Sequence, residues 1–245
     1  MLSNLFYIIF FLYFVLLLSN FTGLKKFEMV ISACAVVFNL FTLVFIYCSS
    51  GSLPVFNIFE SFLFISFLLG AGVIFLLFKR EFSVMIRRWI WIAILILFIM
   101  MSFSSKEASL QVYDHGYSYI VLFHGFRCIA LALMLFATAW FVQFIIQREI
   151  DERTSMLAHQ GRNYLVLSTV FYLLGEYVGI IWCQKGWGDF WMWSQTFFQS
   201  TLIVLYLMLA FHIPGKGRKA EDIRCVIGGL SSVFMLILSV VRSLY

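Results

Sequence analysis

Residues 118–147 read SYIVLFHGFRCIALALMLFATAWFVQFIIQ, and these thirty residues carry a single charged side chain, Arg127. About 20 apolar residues in a helix are enough to cross the roughly 30 Å of bilayer hydrocarbon. At about 1.5 Å of rise per residue the run exceeds that thickness, so one end should stand clear of the bilayer. Apolar and polar residues do not alternate along it, which favours a helix over a strand. The run therefore predicts a long transmembrane helix.

Seven further apolar runs of comparable length lie on either side of it. They cover approximately residues 3–21, 29–48, 57–78, 89–104, 163–182, 196–213 and 225–242. Apolar residues make up 63% of the 245 residues and charged residues only 12%, too few polar groups to cover a water-soluble fold. In hydrocarbon the backbone must satisfy its own hydrogen bonds, as a helix does. We predict an all-α, polytopic membrane bundle of about eight transmembrane helices, with residues 1–245 forming one transmembrane domain.

The basic residues predict how this bundle is oriented. With eight spans, 13 of the 17 Lys and Arg residues fall in or near the loops on one side. The four on the other side are Lys106, Arg127, Lys185 and Arg242. Cytoplasmic loops carry the excess of Lys and Arg, so both termini are expected on the outer, periplasmic or lumenal, side. This topology explains the net charge of +5, so nucleic acid is not expected as a partner. The apolar spans are expected to contact membrane lipid.

Tryptophan is concentrated in one predicted outer loop, residues 182–195. Four of the seven tryptophans and one phenylalanine lie within it: Trp182, Trp187, Phe190, Trp191 and Trp193. One explanation is the aromatic belt that membrane proteins place at the lipid–water interface. A belt, however, distributes its aromatic residues over many helix ends. Large planar side chains grouped in one loop suit a flat, polarisable ligand, which they contact by stacking and by their edges.

The segment GEYVGIIWCQKGWGDFWMW at 175–193 resembles the tryptophan-rich WWD segment of the haem-handling cytochrome c biogenesis proteins, whose pattern is GxxxGxxWxxxxWGx(F/Y)WxWD. Two further stretches resemble the CcsA (ResC) branch of that family. The stretch GSLPVFNIFESFLF at 51–64 is similar to its G-x-x-P-x-x-N-x-Y-E-S-x-x-F element. The stretch LFH at 122–124 is similar to the LxxHV element, which carries an outward-facing axial histidine. The resemblance covers roughly residues 50–245, and the first two spans are unspecific.

This resemblance implies a protein of system II cytochrome c biogenesis. Such a protein receives haem b in the membrane and presents it at the outer face for attachment to the CxxCH cysteines of apocytochrome c. In that system CcsA works beside a second membrane protein, CcsB (ResB), so this chain is expected to be at most one subunit of a cytochrome c synthase. The bacterial plasma (inner) membrane is a more economical location than the thylakoid membrane.

The resemblance also implies which residues hold haem. His124 matches the axial histidine, and neutral imidazole is a common axial ligand of haem iron. Arg127, one turn further along the helix, is placed to pair with a haem propionate. His212, at the inner end of the seventh span, is a second candidate ligand, although a histidine reaching for the cytoplasmic interface explains it equally. The residues that match the tryptophan-rich segment are expected against the haem: Trp182, Trp187, Gly188, Phe190, Trp191 and Trp193.

Glu176 is a carboxylate inside the sixth predicted span. Such a group is costly in lipid and usually faces a cavity or a partner of opposite charge. Arg127 or Arg242 would neutralise it, and a structural ion pair explains it as well as a role in the site does. Gly175 and Gly179 are spaced like the small residues that let two membrane helices pack closely.

The chain departs from the family pattern in two places. Ser194 and Gln195 stand where the motif ends in Asp-Pro, which keeps a helix-capping oxygen and loses a charge. Arg242 stands where the family has its second outward axial histidine, and a guanidinium has no lone pair to give to iron. Arg242 is still expected near the haem. Three outcomes remain: His124 binds haem alone with a weak or open sixth site, His115 takes the second position, or haem is not held at this face.

The five cysteines occur in no CxxC or CxxCH motif, so thioredoxin-type chemistry and covalent haem attachment to this chain lack their signature. We interpret them as small apolar packing residues.

Two other functions are compatible with the sequence. The first is a HemX-like protein, a relative of the same fold that regulates haem metabolism without attaching haem. The second is a small-molecule transporter with an aromatic outer gate.

Overall fold

The computed structural model describes residues 2–22, 25–78, 84–108, 117–147, 152–188, 195–214 and 217–243. Within these ranges the chain forms eight α-helices and no β-strand. The helices are α1 (Leu2–Thr22), α2 (Lys25–Ser50), α3 (Ile58–Phe78), α4 (Val84–Ser102), α5 (Tyr117–Ile146), α6 (Glu152–Trp187), α7 (Gln195–Phe211) and α8 (Arg218–Ser243). The predicted all-α class is confirmed, and each predicted apolar run coincides with one helix.

Seven of these helices are long and apolar enough to cross a membrane by their length and composition. The exception among the described helices is α7, which has 17 residues. At 1.5 Å per residue it is about 26 Å long, slightly less than the hydrocarbon thickness. The structure therefore supports a multi-pass helical membrane protein. An eighth crossing by α7, and the outward orientation of both termini, stay predictions.

The helices group into two compact units, Met1–Gln111 with α1 to α4 and Val112–Tyr245 with α5 to α8. In the first unit each helix packs on the next, and α1 also packs on α4. Tyr13 of α1 is fully buried at the centre of this unit. Its ring centre lies 6.0 Å from that of Trp91 and 5.4 Å from that of Phe98. Large aromatic side chains thus fill the core between α1 and α4.

The family-like stretch at 51–64 forms the entry to α3. The side-chain oxygen of Asn57 accepts the backbone N–H of Glu60 at 2.7 Å, and the Glu60 carboxylate accepts the N–H of Phe56 at 3.1 Å. The Ser61 hydroxyl donates to the Val55 carbonyl at 2.9 Å. This arrangement closely follows a capping box, which satisfies backbone groups at a helix start. Its Asn, Glu and Ser residues therefore have a structural explanation.

A buried ion pair joins α2 and α4 in the first unit. Both oxygens of the Glu28 carboxylate accept bonds from Arg87, at 3.0 Å from Nε and 3.3 Å from a terminal nitrogen. Asn20 of α1 donates to the same carboxylate at 2.9 Å. α4 begins at Val84, five residues before the predicted run at 89–104, and therefore includes Arg87. Because Glu28 neutralises Arg87, this charge can lie inside the helix.

In the second unit α5 and α6 are the two longest helices. The thirty residues of α5 match the predicted long run, whereas the 36 residues of α6 extend beyond the predicted 163–182 at both ends. α6 ends at Gly188, which has φ 73° and donates its N–H to the Gln184 carbonyl at 3.0 Å. A glycine in this left-handed conformation is a common helix stop. Trp182 to Trp187 are therefore helical, although the sequence placed them in a loop.

Candidate functional site

The antiparallel contact between α5 and α6 brings the predicted site residues together in layers. In the first layer, at the start of α5 and the end of α6, Lys185 donates to the Tyr119 hydroxyl, and its ammonium lies 4.4 Å from the centre of the Tyr119 ring. The next layer holds Phe123 and Trp182, and the one after it Arg127 and Glu176. Residues 49 to 66 positions apart in the sequence are thus neighbours across one helix pair.

Three rings form what we call the aromatic cluster, which consists of Phe123, His124 and Trp182. The Phe123 ring centre lies 5.1 Å from that of His124, with the rings at 74°, and 6.4 Å from that of Trp182, at 38°. Phe123 is buried, whereas His124 and Trp182 are half-buried. The proposed iron ligand and the first tryptophan of the motif therefore flank the same phenylalanine.

Two glycines of α6 make this approach possible. A Cβ atom at Gly179 would lie 2.8 Å from the Phe123 ring, and one at Gly175 would lie 3.4 Å from the Phe123 carbonyl oxygen. Larger residues at these positions would push the helices apart. The prediction that Gly175 and Gly179 permit close helix packing is confirmed.

Four polar residues form the neighbouring charged cluster, which consists of Arg127, Tyr172, Glu176 and Ser200. Arg127 bonds to the Glu176 carboxylate, at 3.0 Å from Nε, and also donates to the Ser200 hydroxyl of α7. Its guanidinium lies 4.1 Å from the centre of the Phe123 ring, in cation–π contact. Of the two arginines considered for Glu176, Arg127 forms the ion pair.

Tyr172 lies one turn before Glu176 on α6 and is buried. Its ring is 5.5 Å from the Arg127 guanidinium, and its hydroxyl faces Ser200 and Glu176. However, in the part of the chain that the structure describes, no group lies at the distance and angle of a hydrogen bond to this hydroxyl. A buried hydroxyl is costly to leave unpaired, so this one needs an explanation.

His212 directly follows α7 and is exposed. Its Nδ1 lies 2.8 Å from the Met208 carbonyl oxygen. If Nδ1 carries the proton, Nε2 keeps a lone pair, which is the usual arrangement of a histidine that ligates a metal. His212 is twelve residues beyond Ser200, about 18 Å along a helix axis. The structure therefore does not bring it to the aromatic cluster.

The remaining candidates in the tryptophan-rich segment are described only in part. Gly188 ends α6, and the backbone of Trp187 lies in its last turn. The residues Phe190, Trp191, Trp193 and His115 and the side chains of Trp187 and Arg242 lie outside the described part of the chain. Their predicted roles stay predictions.

Sequence reasoning missed three residues of the site: Phe123, Tyr172 and Ser200. The i, i+4 spacing of Tyr172 and Glu176 places both on one helix face and was a usable signal. No local pattern connects Ser200 to Arg127, because they lie on different helices. Across the described residues no group of three His, Cys, Asp or Glu side chains is placed to hold a metal ion.

No protein-family model matches this chain. The chain is similar to protein NrfI of Wolinella succinogenes, with 26% identity over 97 residues. That stretch covers 39% of this chain and only 11% of NrfI, so the chain matches about a tenth of the length of that protein.

Proposed function

We propose that this chain is a haem-handling membrane protein of cytochrome c biogenesis of the system II type. It receives haem b in the bilayer and presents it at the outer ends of α5 and α6 for attachment to apocytochrome c. The resemblance of residues 175–193 to the WWD segment supports this proposal, and the weak similarity to NrfI is in keeping with cytochrome c maturation. We place the protein in the bacterial plasma membrane.

The observation that carries the proposal is that His124 and Trp182 share one contact residue, Phe123. These two residues were singled out by separate motifs, one on the fifth predicted span and one on the sixth. A histidine beside planar aromatic rings would suit a flat macrocycle that carries a metal. The half-buried state of His124 and Trp182 leaves part of each ring accessible.

The described residues fit haem in three respects. The imidazole of His124 can provide one axial nitrogen, Trp182 can cover a macrocycle face, and Arg127 can pair with a carboxylate. Arg242 stands at the family's other histidine position and cannot ligate iron. The proposal therefore does not include a second iron ligand from this chain. We therefore propose ligation of iron by one histidine of this chain.

Each of these residues has a defined task. His124 would hold the metal at the outer end of α5, while Phe123 and Trp182 would orient the bound ring. When bound, haem supplies the vinyl groups to which the thiols of a CxxCH motif attach. The thiols come from apocytochrome c, and a CcsB-like membrane protein completes the synthase. This chain alone is thus proposed to position haem.

The proposal is tested by deleting the gene and measuring covalent cytochrome c in membranes by haem staining. The stain should be lost in the deletion strain and restored by the wild-type gene, but not by the His124→Ala variant. The His159→Ala variant is a matched control, because His159 is exposed on α6 and has no proposed haem contact. Unchanged cytochrome c in the deletion strain would overturn the proposal. If haem-precursor levels changed instead, a HemX-like regulator would be favoured.

A further inference from the structure

We infer that the charged cluster is a carboxylate-binding site in which Glu176 occupies Arg127 until a carboxylate of the ligand replaces it. The inference rests on the proposed function, because the ligand is a porphyrin with free carboxylates. In this inference Glu176 competes with the ligand carboxylate for Arg127. After the exchange, the Tyr172 hydroxyl donates a hydrogen bond to the displaced Glu176 carboxylate.

The geometry of the ion pair indicates that it can be exchanged. Both bonds from Arg127 end on the same carboxylate oxygen of Glu176, Oε1. Arginine binds a carboxylate most favourably when two nitrogens contact two oxygens in parallel. A ligand carboxylate that uses both oxygens would therefore form a better contact than the resident Glu176 does.

The chain contains a second arginine–glutamate pair that shows the contrast. Arg87 contacts both oxygens of Glu28, and their side chains are only 7% and 4% exposed. The side chains of Arg127 and Glu176 are 15% and 20% exposed. The Arg87–Glu28 pair is buried, and its two-oxygen geometry is typical of an ion pair that stabilises the fold. The Arg127–Glu176 pair is more exposed, and a ligand carboxylate that contacts Arg127 through both oxygens would bind it with better geometry.

The poorly satisfied hydroxyl of Tyr172 is the second observation. It is buried and lies one turn from Glu176 on α6, and its polar neighbours are Ser200 and Glu176, although neither contact reaches full hydrogen-bond geometry in the described part of the chain. A buried hydroxyl without a good hydrogen bond is unfavourable in this state, and a second state that uses the hydroxyl would explain its presence. If Glu176 leaves Arg127, its carboxylate can accept the Tyr172 hydroxyl without leaving the helix face that both residues share. The exchange breaks one set of hydrogen bonds and forms another, with no covalent change.

The position of Arg127 connects the exchange to the aromatic cluster. Its guanidinium lies against the face of Phe123, whose ring also contacts His124 and Trp182. Arg127 lies one helical turn further along α5. A planar ligand against these rings would therefore place its carboxylates close enough to contact Arg127. Ligand carboxylates, and not only the metal, should therefore determine the affinity.

The test uses metal-free protoporphyrin IX and its dimethyl ester, which has no free carboxylate, with affinity measured by quenching of tryptophan fluorescence in detergent. The wild-type protein should bind the diacid about tenfold more tightly than the diester, as expected for one charge-assisted contact. Glu176→Gln should raise the affinity for the diacid several-fold and leave that for the diester unchanged. Arg127→Gln should abolish the preference for the diacid. Arg127→Lys keeps the positive charge, so this variant should fold and should retain part of the preference for the diacid over the diester.

Glu107→Gln is the matched control, because Glu107 is exposed and lies outside the charged cluster. It should behave as the wild type does. Equal wild-type affinities for diacid and diester, or an unchanged diacid affinity in Glu176→Gln, would overturn the inference. Because these porphyrins contain no iron, a failure of ligation by His124 would leave their binding intact, so the two proposals can fail separately. If no metal-free porphyrin bound to any variant, the inference would be overturned, while ligation of haem iron by His124 would still be tested by the deletion strain.

Discussion

Gly179 of α6 lies directly against the ring of Phe123 of α5, so closely that a Cβ atom at position 179 would come within 2.8 Å of the ring. Phe123 also contacts His124 and Trp182. The spacing of the two helices therefore determines where the proposed haem ligand and the first motif tryptophan lie. A residue without a side chain is thus part of the site through the packing that it permits.

Replacing this glycine should destabilise the second unit. Gly179→Ala is expected to lower the free energy of unfolding by roughly 1–3 kcal/mol, because the added methyl group overlaps the buried Phe123 ring. Gly125→Ala is the matched control, since a Cβ atom there has no neighbour within 4 Å. It should be neutral or stabilise the helix by up to about 1 kcal/mol. Thermal unfolding in detergent measures both; equal effects of the two substitutions would contradict this packing.

The Glu28–Arg87 pair should be important for the stability of the first unit. Glu28→Gln leaves the guanidinium of Arg87 buried without its counter-charge, which is expected to cost about 3–5 kcal/mol. Replacing both residues by apolar ones, Glu28→Leu with Arg87→Met, should restore most of that loss. Denaturant unfolding of the single and double variants provides the comparison. A double variant as unstable as Glu28→Gln would argue against the desolvation of Arg87 as the cause.

The helix entry at α3 gives a smaller, separate effect. Asn57→Ala removes the acceptor for the Glu60 N–H and is expected to reduce stability by about 1 kcal/mol. Asn57→Asp keeps a capping oxygen at the same position and should retain most of that stability. If thermal unfolding shows the same midpoint for all three proteins, the cap does not contribute as proposed.

The number and positions of the helices could be predicted because long apolar runs have few alternatives in a chain with so few charges. The predicted start of α4 was wrong because a charged residue near it suggested a loop. The predicted fourth run, 89–104, leaves Arg87 outside the helix, but the charge of Arg87 is neutralised inside the fold by Glu28, 59 positions earlier. In the second unit, α6 stops just before Gly188, whose backbone is left-handed, and Trp182 itself gives no stop signal.

The site was partly predictable for the same reasons. Arg127 and Glu176 are isolated charges in apolar runs, so a pair between them was one of two expected arrangements. Ser200 and Tyr172 carry no charge and belong to no motif, and only the packing of α5, α6 and α7 brings them to Arg127. The i, i+3 and i, i+4 relations are visible in a sequence, whereas contacts between helices are not.

The predicted orientation can be tested by fusing reporters to the C-terminus. Alkaline phosphatase, which is active only after export, should be active when fused after Tyr245, because the basic loops place that end outside. Green fluorescent protein fused at the same place should be dark when exported unfolded. The opposite pattern would show that the C-terminus faces the cytoplasm and that the predicted topology is wrong.

The central claim is that His124 binds haem iron, and the absorption spectrum of the purified protein tests it most directly. After expression in haem-replete cells, wild-type protein and His159→Ala should show the same Soret band in the oxidised and reduced states, while His124→Ala should lose it at equal protein yield. A single histidine ligand predicts a high-spin spectrum, without the sharp bands of bis-histidine coordination. A Soret band of unchanged position and intensity in His124→Ala would contradict the account.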